Sequence, residues 1–504
     1  MRTLVIGLLL ILLFVSQINT ILDIDLWWNL KTGEYIIKNL EVPRFDIFSY
    51  TLKDRAWVDH EWLSQVFFYL VFSGFGWLGL NILKAVLISL SFSLLFFLAS
   101  AHLKKIFFPL LFLLLSILAF GYRSFVRPEI FSYLFMGIFF YILEKEKGLR
   151  ALPFLQIIWV NLHGYFILGP ILALLYCIGD FISGDKGRAR KFGMLFAWLV
   201  LACFVNPYFY KGALYPVNVL IDAFTGQRLL MQSVSELMMP IRSGYARFLF
   251  FWVFAVLASI TFIINLKNVR MKHCLVFMFS FIASYMAVRN MPMLIFFGMP
   301  IAAINLNRAG LTKRLSERKY YAASILIICG MLYLFISNKY YIVTNQHGLR
   351  KTESMFSGHF MPSGACDFLE ENGIKGRIFN TLDFGPYIGY RFYPEKRVFI
   401  DTRTDLYKDD FYRLYRRAQN YPADWRRLHR EYDFEIAVLR HIFSGTVRIM
   451  RHLHENADWR LVYYDENSCV FLSNTPQNAG VIDRFEIDFS RKDVLDSDID
   501  INIA

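Results

Sequence analysis

The sequence predicts an α-helical polytopic membrane protein that carries a soluble α/β domain at its C-terminal end. Of its 504 residues, 56% are hydrophobic and 51 are Phe, and the mean hydropathy is +0.39. This is more apolar surface than one soluble core would bury. Apolar runs that could cross all or part of ~30 Å of hydrocarbon recur up to residue 336. Short alternating strands and helices replace them afterwards.

The membrane region, 1–336, is expected to contain about eleven transmembrane helices. Only Arg2 precedes the first run and no small-residue cleavage site follows it, which favours an uncleaved first span. The predicted spans lie at 4–18, 77–100, 106–120, 130–143, 152–162, 165–182, 192–205, 248–265, 274–288, 291–306 and 320–336. The run at 152–162 is short. If it merged with its successor, every later loop would change sides.

The formal net charge of +13 predicts an orientation rather than a nucleic-acid partner. Lys and Arg cluster in alternate short loops between apolar runs, as the positive-inside rule requires. The N-terminus is then cytoplasmic and everything after residue 336 lies on the other side. Two long loops, 19–76 and 206–247, share that non-cytoplasmic face, which suggests that the protein works at this surface.

The soluble α/β domain is predicted at 337–475, followed by an acidic tail at 476–504. Helices should begin near Ser363, read as an N-cap, near Asp405, and between residues 445 and 454. The strands are predicted at 377–380, 397–401, 435–440, 461–464 and 469–473. Only Cys366 and Cys469 lie in this part, so a single disulfide between them is the one bridge left open.

The first outer loop combines carboxylates with tryptophans such as Trp28, a mixture that suits a sugar. Aromatic rings offer faces for C–H contacts, and carboxylates accept hydrogen bonds from hydroxyls. Asp25 follows the first span closely, where partial desolvation would make it a better base. The alternative is a solvated acidic loop in which the tryptophans anchor the protein at the membrane interface.

A run of three polar residues, 59–61, adds further candidates. We count Asp59 and Glu61 with Asp25 as candidate catalytic carboxylates. The candidate ligands for a Mg²⁺ or Mn²⁺ ion are Asp23, Asp25 and His60. The alternative is a capped helix start, with Asp59 as the N-cap.

Several cations lie near the outer membrane face and could hold the phosphate of a lipid-linked donor. Lys84 is inside a predicted span, where a charge is costly unless it has a partner. His163, at the end of the short run, could assist an acceptor or a leaving phosphate. The candidate substrate-binding residues are Lys84, Arg123, Arg127, His163, Arg289 and Trp28. The alternative for each cation is snorkelling or pairing with a loop carboxylate.

The segments DLWWNLKTGEY at 25–35 and WVDHEWL at 57–63 resemble the lipid-linked-sugar-dependent glycosyltransferases of the GT-C class. Within that class the sequence looks most like bacterial membrane proteins related to protein mannosyltransferases and aminoarabinose transferases. In those enzymes an acidic residue after the first span, often in an Asp-Glu pair, acts as base or metal ligand. Asp25 is the matching position. Leu26 stands where the Glu would be, so Asp23 is an alternative.

The segments RPEIFSY at 127–133, WVNLHG at 159–164, NPY at 206–208 and IDTRTDLY at 400–407 extend the resemblance over most of the chain. It implies a polyprenyl-phosphate-linked sugar as donor and a glycan, lipid or protein as acceptor. It also implies an inverting transfer of a hexose or pentose. The expected location is the bacterial inner membrane, with the C-terminal domain periplasmic or extracellular.

The resulting hypothesis is a membrane glycosyltransferase in which Asp25 is the base and Arg127 and Arg289 steady the leaving phosphate. Two other classes remain open. A transporter or flippase of lipid-linked glycans would use the same cations and leave Asp25 dispensable. A non-catalytic scaffold of envelope assembly would depend on no single carboxylate.

Overall fold

The computed structural model of the chain describes residues 2–52, 54–101, 107–225, 235–242, 248–310, 317–344, 346, 350, 356, 361–441 and 444–488. Helices dominate up to residue 343, and a small domain built on a four-stranded sheet follows. Parts of the loop at 206–247, and residues 489–504 of the acidic tail, lie outside the described residues.

An α-helix occupies each of the eleven predicted apolar runs. The helices are α1 Arg2–Gln17, α2 Leu26–Asn39, α3 Trp62–Ser100, α4 Phe107–Phe120, α5 Glu129–Lys145, α6 Leu152–Val160, α7 Leu168–Ile182, α8 Lys186–Ala202, α9 Tyr210–Thr225, α10 Leu249–Ile264, α11 Met271–Met286, α12 Met291–Arg308, α13 Glu317–Ile336 and α14 Lys339–Val343. Only three described helical segments are long and apolar enough to cross a membrane by themselves: Trp62–Ser100, Gly164–Ile182 and Val288–Arg308. The predicted span count is therefore not settled.

The short helix α6 carries the chain from one end of the helix bundle to the other. α5 runs ~25 Å, at 1.5 Å per residue, from Glu129 to Lys145. α6 then runs back to the end of the bundle where α3 begins. Two hydrogen bonds show this: Leu63 N donates to Asn161 O over 3.1 Å, and Trp62 Nε1 donates to Asn161 Oδ1 over 2.8 Å. We call the end that holds residues 19–61 the loop end. The alternation of loops expected from the charge pattern is thus kept, although α6 has only nine residues.

The first long loop is folded against the bundle by α2 and the N-terminal half of α3. α3 bends at Gly76, whose φ of 58° and ψ of −150° suit glycine alone. α2 packs closely on α3 at Gly33, where a Cβ would lie 2.2 Å from Gln65 O. This packing fixes the start of α2, and Asp25 is the residue directly before it.

The C-terminal domain contains a mixed sheet in the order β1-β2-β4-β3. β1 and β2 are parallel, and β4 is antiparallel to both β2 and β3. The strands are β1 Ile378–Asn380, β2 Ile436–Arg440, β3 Trp459–Tyr464 and β4 Ser468–Ser473. The helices are α15 Ser363–Glu371, α16 Gly385–Phe392, α17 Asp409–Ala418, α18 Pro422–Tyr432, α19 Ser444–Glu455 and α20 Ala479–Phe485.

Three local expectations for this domain are wrong. The N-cap of α15 is Pro362 rather than Ser363, and the helix expected near Asp405 begins at Asp409. Residues 397–401 form no strand of the sheet. Instead their backbone bonds to the first long loop, where Val398 N donates to Phe48 O over 2.9 Å and Tyr50 N donates to Val398 O over 3.1 Å. Cys366 and Cys469 are both free and buried.

Candidate active site at the loop end of the bundle

Arg127 lies at the centre of a group of three carboxylates. It follows α4 by a short loop and donates to both oxygens of Asp23, with 3.1 Å from its Nη2 to Oδ1. The same Nη2 is 3.2 Å from Asp25 Oδ2, and Nη1 is 2.5 Å from Glu236 Oε1. Two outer segments and the loop after α4 therefore meet here, and the side chain of Asp25 remains 27% exposed.

A second arginine, Arg123, pairs with one carboxylate of this group. Arg123 is only 1% exposed and pairs with Glu129 at 2.6 Å and with Glu236 at 3.0 Å. The Tyr133 hydroxyl also donates to Glu129, over 2.8 Å. Because Arg123 is enclosed and pairs with both Glu129 and Glu236, we assign it to holding Glu236 beside Arg127.

The environment divides the three carboxylates into different protonation states. Burial raises the pKa of Asp25 to about 7, a rise that Arg127 opposes and the neighbouring Asp23 strengthens. Burial also raises the pKa of Asp23. Burial would raise the pKa of Glu236 too, but Arg127 and Arg123 outweigh it and hold that pKa below its ordinary value. A carboxylate that titrates near neutral pH is suited to accept a proton.

Residues 59–61 form a second polar group with His163 on the loop end. Glu61 Oε1 is 3.2 Å from His60 Nε2 and 3.6 Å from His163 Nε2. The His60 ring stacks on Tyr215 of α9 with centroids 3.8 Å apart. Burial opposes ionisation of Glu61, yet His60 and His163 lower its pKa to about 2. Burial lowers the pKa of His163 to about 4, so that imidazole is neutral at neutral pH.

Asp59 is a buried carboxylate inside the protein rather than a helix cap. The N-cap of α3 is Glu61, and Asp59 Oδ1 accepts from Gln65 Nε2 over 2.8 Å. Burial raises the pKa of Asp59 to about 7, with His60 opposing the rise.

Arg289 differs from the other two arginines of this end. It lies in the turn between α11 and α12, with its guanidinium 5.9 Å from the centroid of the Tyr165 ring. Among the residues that the structure describes, Arg289 has no ion-pair partner, and its Nε is buried without a hydrogen bond. Such a guanidinium can take an anion without first giving up a carboxylate.

Comparison with known proteins identifies the fold. No family model and no curated sequence matches the chain significantly. Among solved structures, the oligosaccharyltransferase of Archaeoglobus fulgidus, tethered to an acceptor peptide with an NVT sequon, aligns with a TM-score of 0.58 at 10% identity. That alignment covers 94% of this chain and 74% of the other.

ArnT from Cupriavidus metallidurans aligns with a TM-score of 0.53 at 12% identity, both in the apo state and bound to undecaprenyl phosphate. The alignments cover 95% and 94% of this chain, respectively, and 98% of ArnT. The chain has the GT-C fold. The fold class expected from the sequence is thereby confirmed. At these identities the likeness concerns the fold alone.

Within this GT-C fold, the predicted binding residue Lys84 is enclosed and Trp28 is half-buried. Lys84 is fully buried in α3, where its Nζ donates to Asn19 Oδ1 over 2.6 Å and to Ser124 O over 3.2 Å. It therefore ties the segment after α1 to the loop after α4. Trp28 packs on Trp57, with ring centroids 6.2 Å apart.

The residues predicted to bind a metal ion are held by other partners. Asp23 and Asp25 share Arg127, whereas His60 pairs with Glu61. Among the described residues no group of three or more His, Cys, Asp or Glu side chains could hold a metal ion. A guanidinium occupies the space that a cation between the two aspartates would need, so these residues as placed do not fit Mg²⁺ or Mn²⁺. A metal requirement stays a prediction.

The C-terminal domain contributes one residue to the candidate site, Thr402, that was not predicted from the sequence. Thr402 Oγ1 donates a hydrogen bond to Asp25 Oδ1, across 377 positions of sequence. The resemblance of the segment 400–407 was the one sequence signal that included Thr402. Glu236 is a second residue of the site that the sequence does not indicate, because nothing local to it shows that it would reach Arg127.

Proposed function

We propose that this chain is a membrane glycosyltransferase that moves a sugar from a polyprenyl-phosphate donor to an acceptor at the loop end of the bundle. The observation that carries the proposal is that a titratable carboxylate, Asp25, and an arginine with no described ion-pair partner, Arg289, both interact electrostatically with Glu236. The GT-C fold supports it. The printed descriptions of its structural neighbours name an acceptor peptide and undecaprenyl phosphate.

In the proposed reaction, Asp25 acts as the general base. Its carboxylate removes a proton from the acceptor as the acceptor attacks the anomeric carbon of the sugar. The bond between that carbon and the phosphate oxygen breaks, and the polyprenyl phosphate leaves with the electron pair. Attack opposite to the leaving group inverts the anomeric carbon.

The roles proposed for the two arginines differ from those of the sequence-based hypothesis. Negative charge develops on the leaving phosphate, where a fixed cation lowers the barrier most. Arg289 is available for that phosphate. Arg127 already pairs with Asp23, Asp25 and Glu236, so its role is to hold the base and limit the rise of the pKa of Asp25.

The test is transfer in vesicles that carry the purified protein and a radiolabelled polyprenyl-phosphate sugar, with a panel of glycan, lipid and peptide acceptors. Asp25→Asn keeps the shape and removes the base, so we expect transfer to fall by roughly 10²–10⁴-fold. The matched control is Asp185→Asn, which makes the same change at an exposed helix cap, where Asn caps as well as Asp.

Each result bears on the proposal. Transfer by Asp25→Asn at the wild-type rate would refute the assignment of the base. Movement of the lipid-linked sugar across the vesicle without transfer to any acceptor would favour a transporter instead. Repeating the assay with EDTA determines whether transfer depends on a divalent metal ion.

A further inference from the structure

One turn of the C-terminal domain reaches into the candidate active site. Thr402 lies between Asp401 and Arg403, and its hydroxyl is the only part of this domain that we find bonded to Asp25 among the described residues. Thr402 is half-buried, whereas its two neighbours are buried. This turn connects the soluble domain to the proposed chemistry.

The neighbours of Thr402 are fixed by a buried ion-pair network. Arg403 Nη2 is 2.6 Å from both Asp46 Oδ1 and Asp401 Oδ2. Its guanidinium also lies 5.0 Å from the Phe48 ring and 4.6 Å from the Trp57 ring. Because the guanidinium pairs with one enclosed carboxylate from each segment, these contacts tie the turn to the first long loop.

The backbone before the turn is fixed as well. Asn380, at the end of β1, donates from Nδ2 to Ile400 O over 2.7 Å and accepts from Phe399 N over 2.9 Å. On the other side, a Cβ at Gly385 would lie 2.1 Å from Ile400 O. The chain before Thr402 is thus held within the C-terminal domain, and Arg403 after it is held by Asp46 of the first long loop. These contacts together fix the position of the Thr402 hydroxyl.

Asp25 is consequently held at both oxygens. Oδ1 accepts from Thr402, and Oδ2 is 3.2 Å from Arg127 Nη2. A carboxylate has about four lone-pair sites, so at least one site on the pair of oxygens remains free for an acceptor proton. Two partners on different oxygens prevent the carboxylate plane from rotating. Rates of proton transfer depend steeply on such orientation.

We propose that Thr402 is a positioning residue, which orients the Asp25 carboxylate toward the acceptor from the C-terminal domain. This inference rests on the proposed function for its kinetic consequence. It makes the soluble domain part of the catalytic unit rather than an appended module.

The experiment compares Thr402→Val, Thr402→Ser and Thr404→Val in the vesicle assay. Thr402→Val keeps the side-chain shape and removes the donor, so kcat should fall roughly 10–100-fold, as misplacing a reacting group does. KM for the lipid donor should stay unchanged, because the phosphate is held elsewhere. Thr402→Ser restores the hydroxyl and most of the rate. Thr404→Val makes the identical change two residues away, where the hydroxyl does not contact Asp25.

A second measurement does not need activity. Asp25 is labelled with a carbodiimide and an amine in the same proteins at one pH, and the modified peptide is quantified by mass spectrometry. Loss of the Thr402 hydrogen bond should speed labelling of Asp25 in Thr402→Val, while Thr402→Ser and Thr404→Val label like the wild type.

The outcomes separate the two proposals. Wild-type kcat in Thr402→Val, or equal losses in Thr402→Val and Thr402→Ser, overturns the positioning role. If the wild type transfers no sugar at all, the proposed function fails, and the labelling experiment alone tests the contact between Thr402 and Asp25. Unchanged labelling in Thr402→Val then overturns that contact, and faster labelling supports it.

Discussion

Two buried groups of charged residues lie at opposite ends of the same helices, and they are built differently. Away from the loop end, Glu144 of α5 is 2.5 Å from the Tyr176 hydroxyl, 3.0 Å from His273 Nε2 and 3.4 Å from Arg270 Nη1. There one carboxylate has more donors than it needs. At the loop end three carboxylates contact Arg127, and among the described residues only one of them, Glu236, pairs with a second arginine, Arg123.

The number of donors available to each carboxylate distinguishes a group that stabilises the fold from one suited to catalysis. A carboxylate saturated by donors on neighbouring helices stays ionised and fastens those helices together. Carboxylates that compete for one cation leave at least one of them ready to exchange a proton near neutral pH, as burial does for Asp25. We therefore expect substitutions at the loop end to change rate and those at the other end to change stability.

After Asp25→Asn, we expect the largest loss of sugar transfer from substitution of Arg289. Arg289→Gln removes the cation proposed for the leaving phosphate, so transfer should fall by roughly 10²–10³-fold. Arg270→Gln is the matched control, because Arg270 is half-exposed and its one ion pair among the described residues is with Glu144, away from the loop end. The measurement is kcat/KM in vesicles. Equal, small effects of the two substitutions would contradict the distinction between the two ends.

A smaller effect is expected from pH. Burial raises the pKa of Asp25 to about 7, and the base works when deprotonated. The deprotonated fraction then rises about tenfold between roughly pH 6 and pH 8, and kcat/KM should rise with it. Because Arg127 lowers this pKa, Arg127→Gln should move the midpoint to higher pH. A flat profile over this range would show that Asp25 does not titrate there as the base.

Much of the fold followed from the sequence, because hydrocarbon imposes long apolar runs that are visible without any tertiary information. The contacts of the C-terminal domain were harder to predict. The segment 397–401 has strand composition, yet its hydrogen bonds go to Phe48 and Tyr50 in the first loop. Local pattern predicts that a segment is extended, but it does not identify the partner.

The residue types of the candidate site could be predicted from the sequence, but its contacts could not. Position, charge and the family resemblance predict Asp25 and Arg127, and the structure brings the two side chains within 3.2 Å, while their roles stay predictions. The contacts of Arg127 with Glu236 and of Asp25 with Thr402 join segments 109 and 377 positions apart, respectively. Only the folded chain shows that Arg127 is already paired and that Lys84 is enclosed.

The smallest effect on rate and a clear effect on stability are expected at Glu144. Glu144→Gln replaces the carboxylate that accepts from the Tyr176 hydroxyl and lies 3.0 Å from Nε2 of the buried His273, and losing a hydrogen bond to a charged group costs about 1.5–3 kcal/mol. The melting temperature in detergent should fall, while the folded fraction keeps its kcat. Glu370→Gln is the control, since Glu370 forms an exposed pair with Arg391, and such pairs are worth about 1 kcal/mol or less. A lower kcat in the folded Glu144→Gln protein would mean that the two charged groups are coupled through α5, and the comparison between them would fail.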